Sequence, residues 1–121
     1  MDLAIIGAPN LQLPLIEKAK KMGYTTYVFA LAANDVGEKA ADYFYLLSII
    51  EIEKILDKCR EIGAFGLCGT ASDVVVTVNY MTEKMKLPGN SIVLIGKCTN
   101  KPLMRKALVI NGDLSQKIFL I

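Results

Sequence analysis

Six polar side chains stand where their types and spacing could do chemistry. Asn10 and Gln12 lie in the loop Gly7-Ala8-Pro9-Asn10-Leu11-Gln12. Their amides both donate and accept hydrogen bonds, which suits a small polar substrate. Thr70, Ser72 and Asp73 lie in Gly69-Thr70-Ala71-Ser72-Asp73, a short polar loop that opens a helix. Free N–H groups and the positive end of the helix dipole suit a carboxylate or phosphate there. Plain capping by Ser72 or Asp73 explains the same two residues, and Asp73 disfavours a highly charged anion. Lys101 is the sixth. With Arg105, four residues on, it shares a helix face that suits a phosphate or simply faces solvent.

Other chemistries are excluded by what the chain lacks. It has no histidine, and its cysteines, Cys59, Cys68 and Cys98, form no CxxC pair. A zinc site, a Cys-His nucleophile and a Ser-His-Asp triad are therefore not expected. Structural thiols in a reducing cytoplasm fit better. Glu51, Glu53, Asp57 and Glu61 alternate with Lys54, Lys58 and Arg60, a pattern of surface ion pairing to which no catalysis is assigned. A net charge of +2 with both signs interspersed gives no nucleic-acid footprint. No apolar run approaches the roughly 18 residues that a membrane span requires, and the N-terminus, with an acid at position 2, is not expected to be a signal peptide.

These residues depend on an alternation of strands and helices. Leu3 to Ile6, Thr25 to Ala30, Tyr43 to Leu47 and Phe65 to Cys68 read as strands. A hydrophobic content of 53% fits strands buried on both faces. Asn10 is expected to cap a first helix whose stripe is Leu11, Leu15, Ile16, Ala19 and Met22. Leu31 to Ala41 reads as a loop with at most a helical turn. Ser48 and Glu51 form the S-x-x-E capping box ahead of Ile52, Ile55, Leu56, Cys59 and Ile62. Val74, Val75, Val78, Met81 and Met85 give the next inner face, and Leu87-Pro88-Gly89 a turn or short strand. Ser91 to Cys98 suits a strand by propensity and a short buried helix by spacing. The result is an α/β fold: an open parallel sheet of four to five strands with helices on both faces. Ligands in such sheets bind beyond the carboxyl ends of the strands, where Asn10, Gln12 and Thr70 to Asp73 fall.

The first loop keeps one glycine of G-x-G-x-x-G. Pro9 and Gln12 stand where glycine would admit a pyrophosphate, and Asp35 lies well past the second strand. NAD or FAD is therefore not expected. Four stretches in register instead carry a resemblance: GAPNLQLPLIEKAKKMGY, KAADYFY, GTASDVVVTVNYMTEKMKLPGNS and TNKPLMRKAL. Together they resemble the N-terminal, pre-ATP-grasp domain of ATP-grasp ligases, a Rossmann-like domain. The similarity is greatest to members grouped with carbamoyl-phosphate synthase large chains and biotin carboxylase.

The resemblance implies an enzyme that activates a carboxylate with ATP as an acyl phosphate, which an amine then attacks. Asn10, Gln12, Thr70, Ser72 and Asp73 would fall on the substrate side, and Lys101 would match a lysine that reaches the nucleotide phosphates. Residues 1–99 would form the pre-ATP-grasp domain and 100–121 the start of a truncated ATP-grasp domain, a helix stopped at Gly112 and an apolar tail, Ile118 to Ile121. The glycine-rich lid and the metal-holding carboxylates of that family have no counterpart in the sequence. These residues are therefore expected to hold no cofactor and to be inactive alone, ATP and Mg2+ serving a full-length parent. Expected partners are a small carboxylate and a missing ATP-grasp domain or separate subunit. A second expectation is a non-catalytic domain that dimerises or binds a partner through the last helix and tail.

Overall fold

The computed structural model describes residues 1–7, 10–31, 36–70 and 74–112. Ser72, Asp73, Asp35 and the tail from Ile118 to Ile121 lie outside them. Four strands form one parallel sheet in the order β3-β2-β1-β4: β1 (Asp2–Ile6), β2 (Thr25–Ala30), β3 (Tyr43–Leu46) and β4 (Gly66–Cys68). The register pairs Ala4 with Tyr27 on one side and with Leu67 on the other. Six helices connect and follow them: α1 (Leu13–Lys21), α2 (Val36–Ala40), α3 (Ile52–Ile62), α4 (Val75–Met85), α5 (Ile92–Thr99) and α6 (Lys101–Ile110). Among the described residues, no helix is long and apolar enough to cross a membrane.

Strands buried on both faces explain the apolar runs. Ile5, Val28 and Ala30 pack with Ile16 of α1 on one face. Ala4, Ile6, Phe29 and Leu67 pack with Ile55, Leu56 and Cys59 of α3 and Val78 and Met81 of α4 on the other. The stripe of α1 is narrower than its sequence period. Ile16 and Ala19 are buried, but Leu11 and Met22, at its two ends, are exposed.

Local signals place most boundaries, with corrections at two helix starts. Asn10 does not cap α1; it begins a 3-10 turn, Asn10–Gln12, and Gln12 occupies the cap position with no side-chain cap bond. The capping box is half made. Glu51 Oε2 accepts from Ser48 N–H at 3.0 Å, but the Ser48 hydroxyl accepts from Ile50 N–H instead, at 3.4 Å. Ser91 to Cys98 resolves as helix because Ser91 Oγ caps Leu94 N–H at 3.2 Å. Residues 87–89 form no strand, and the chain bends at Pro88. Asn100 Oδ1 caps α6 at Leu103 N–H, 3.1 Å away.

The edge strand β3 is held by a knot at its amino end. The Asp42 carboxylate accepts from Thr26 N–H at 2.8 Å and from the Thr26 hydroxyl at 2.9 Å. Lys20 Nζ lies 3.4 Å from the other carboxylate oxygen and donates to Ala40 O at 2.9 Å. On α3 the ion pairs Glu51–Lys54, Asp57–Arg60 and Lys58–Glu61 form as the charge alternation requires. Glu53 differs: it accepts from Tyr80 Oη of α4 at 3.0 Å and ties two helices together.

Candidate functional site

The chain runs outward from β1 through β2 to β3, then returns to lay β4 on the other side of β1. The direction reverses between β1 and β4, and ligands of open α/β sheets bind at that reversal. The 3-10 turn after β1 and the loop after β4 bring Asn10, Gln12 and Thr70 to this place.

Gln12 is the deepest of them, with none of its surface exposed. A buried amide needs hydrogen-bond partners, and this one has them at both ends. Its Nε2 donates to the Ile6 carbonyl at 2.9 Å, on the last residue of β1. Its Oε1 accepts from Thr70 N–H at 3.1 Å and lies 3.0 Å from the Thr70 hydroxyl. That hydroxyl also lies 3.3 Å from the Leu11 carbonyl, so it donates to one of the two at a time. Gly69 makes the approach possible. A Cβ there would lie 2.6 Å from Val74 Cγ2 and 3.1 Å from the Ile6 carbonyl oxygen.

Sequence reasoning placed Gln12 among residues that would touch a substrate. The structure instead turns it inward, against Ile6 and Thr70. Asn10 and Thr70 remain exposed at the rim. Thr70 keeps a hydroxyl at the surface, and nothing among the described hydrogen bonds engages the Asn10 side chain. The inward turn of Gln12 does have a sequence signal: Gln12, Ile16 and Ala19 share one helical stripe, four and three residues apart, and the latter two are core.

Lys101 stands exposed in the first turn of α6, and no hydrogen bond or ion pair joins it to Asn10, Gln12 or Thr70. Arg105, on the same face, is half-buried. Among the described residues no group of three or more His, Cys, Asp or Glu side chains could hold a metal ion.

A second buried polar group escaped sequence reasoning. Asn79 of α4 donates to Val75 O at 2.8 Å and accepts from Asn90 N–H at 2.8 Å. Thr82, one turn on, is also buried, and a Cβ at Gly89 would collide with its hydroxyl. These contacts hold the Leu87-Pro88-Gly89-Asn90 segment against α4.

No family model and no curated protein matches the sequence. Solved structures match over 92% of the chain. Phosphoribosylglycinamide synthetase from Anaerococcus prevotii is similar with a TM-score of 0.81 and 22% identity. L-amino acid ligase from Bacillus licheniformis is similar at 0.78 and 25%. N5-carboxyaminoimidazole ribonucleotide synthetase from Thermotoga maritima is similar at 0.75 and 20%. The fold is that of a pre-ATP-grasp domain. The chain spans 29%, 30% and 31% of those three chains respectively. At the strand reversal of this fold, Asn10 and Thr70 are exposed polar residues.

Proposed function

We propose that this chain is the N-terminal, substrate-side domain of an ATP-grasp enzyme that joins a carboxylate to an amine through an acyl phosphate. The observation that carries the reading is the match of nearly the whole chain to under a third of three synthetases and ligases. Asn10 and Thr70 would meet the carboxylate substrate from the ends of β1 and β4, and Ser72 and Asp73, which follow in the sequence, are proposed for the same role. Lys101 would reach nucleotide phosphates, neutralising charge during phosphoryl transfer. ATP and Mg2+ would be held chiefly by a further ATP-grasp domain or a separate subunit, in the cytoplasm. The quoted sequence stretches favour a parent of the carbamoyl-phosphate synthase or biotin carboxylase kind.

Residues 1–99 would then be the folded pre-ATP-grasp unit and residues 100–121 the beginning of the next. The lack of any buried residue in α6 supports that division. It equally favours a second reading, a non-catalytic domain that pairs through this region. Val93, Leu94, Leu103, Val109 and Ile110 are all exposed on α5 and α6.

The test is titration of the isotopically labelled chain with small carboxylates and amino acids, and separately with ATP and Mg2+. Carboxylates are expected to move the amide signals of Asn10, Gly69 and Thr70, with no ATP hydrolysis detected. Ligase or ATPase turnover by the 121 residues alone would overturn the reading.

A further inference from the structure

The place where ligands enter an open α/β sheet is the crevice at the strand reversal. Here the strand order reverses between β1 and β4, and the buried Gln12 side chain lies at their carboxyl ends, bonded to Ile6 and Thr70. We propose that Gln12 is a positioning residue: a buried strut that fixes the loop after β4 to the end of β1, and thereby sets Asn10 and Thr70 at one spacing for a ligand lying outside it. The ligand part of this proposal rests on the substrate-side reading above; the strut itself does not.

Three observations converge. The amide is fully buried, so it contacts no ligand. Each of its ends is used, Nε2 on the Ile6 carbonyl and Oε1 on Thr70, so it joins two loops that are 58 residues apart in sequence. Gly69, between those partners, has no room for a Cβ against Ile6 and Val74. Bonds from a side chain to a backbone N–H and a backbone C=O fix main-chain positions, not rotamers, so both loops are constrained together. A ligand at the reversal lies outside the buried amide and is recognised by the exposed Asn10 and Thr70. Small carboxylates fit such a rim. A dinucleotide, which needs backbone approach within the crevice, does not.

The experiment is amide exchange and ligand titration on the full labelled chain, with Gln12→Leu, Thr70→Val and the wild type side by side. Leucine keeps the volume and loses every bond, so the Thr70 amide is expected to exchange about tenfold faster or more, as expected for a lost buried hydrogen bond. Thr70→Val keeps its backbone N–H on Gln12 and should hold its protection. With acetate or L-alanine, wild-type Asn10 and Thr70 signals should follow one isotherm. In Gln12→Leu the Thr70 response should weaken while global stability, read separately in urea, accounts for only part of the change. Unchanged Thr70 exchange in Gln12→Leu would overturn the strut. A common isotherm retained at full affinity would overturn its role in positioning. No shift in the wild type with either probe would count against the substrate-side reading, and exchange would still decide the strut. If Gln12→Leu does not fold, Gln12→Glu replaces it. That variant keeps an acceptor for Thr70 and loses the donor to Ile6, so exchange should quicken at Gly7 and the β1 end and not at Thr70.

Discussion

A methyl group at Gly69 would press on Val74 and on the Ile6 carbonyl at once. Backbone cannot give way as a side chain can, so Gly69→Ala is expected to cost about 1–3 kcal/mol by overpacking. A urea denaturation series checks this, and adding Val74→Ala should recover part of the loss, since one of the two contacts disappears. The cysteines give a second prediction at this scale. Burial pushes the Cys59 thiol up to about 12 and the Cys68 thiol up to about 11, while Cys98 is exposed. The thiolate is the reactive form. A thiol reagent at neutral pH should therefore label Cys98 rapidly and the other two only as the chain unfolds. Peptide mapping after a brief pulse would show this, and fast labelling of Cys59 would contradict the packing of α3 on the sheet.

Side-chain bonds join neighbouring strands, and the knot at the start of β3 is the clearest of them. The Thr26 backbone N–H, then the Thr26 hydroxyl and the Lys20 ammonium, hold the Asp42 carboxyl below its ordinary value of 3.8, against an opposing effect of partial burial. A carboxyl depressed in the folded state adds stability that is present above the ordinary value and is lost as pH falls through the lower, folded one. Stability should thus decline on acidification from near that ordinary value downward, and Asp42→Asn should flatten this part of the curve. Thermal melts of both proteins across that range would measure the difference. If the two acid limbs run parallel, the knot carries no linkage. This knot also shows why some of the fold is legible in sequence. KAADYFY marks the start of β3 because an acid there has a strand neighbour to bond. Buried parallel strands read as apolar runs, and Gly63 ends α3 in a left-handed turn, φ 74°, that bonds back to Cys59 and Arg60. Gln12 and Asn79 were less legible because their partners, Thr70 and Asn90, lie 58 and 11 residues away in sequence. Periodicity records which face a residue takes, and not which backbone group it meets there. The α1 start was misplaced for a related reason: Asn10 has the right chemistry for a cap, but the 3-10 turn puts Gln12 in that position.

At the scale of the whole molecule, stability is layered. Both faces of the sheet are closed by α1, α3 and α4, whereas α5 and α6 follow α4 as an outer pair. α5 buries only Ile95, and α6 buries nothing, leaving Ile110 78% exposed. A helix whose apolar residues stay in water contributes little beyond its own cap and its contact with a neighbour. Removal of residues 101–121 is therefore expected to lower the free energy of unfolding by no more than about 1 kcal/mol, the scale of one helix cap. Met81→Ala, at a fully buried position of α4, should by contrast cost about 2–5 kcal/mol, the range for emptying a core site. Urea unfolding of the two variants, followed by far-ultraviolet circular dichroism and by light scattering, ranks them. A small loss for the truncation with an unchanged mass fits a helix that belongs with a further domain. A large loss together with a fall from dimer to monomer would instead make the α5–α6 pair an interface between two copies, because only a partner could then have buried the apolar residues that this chain leaves uncovered.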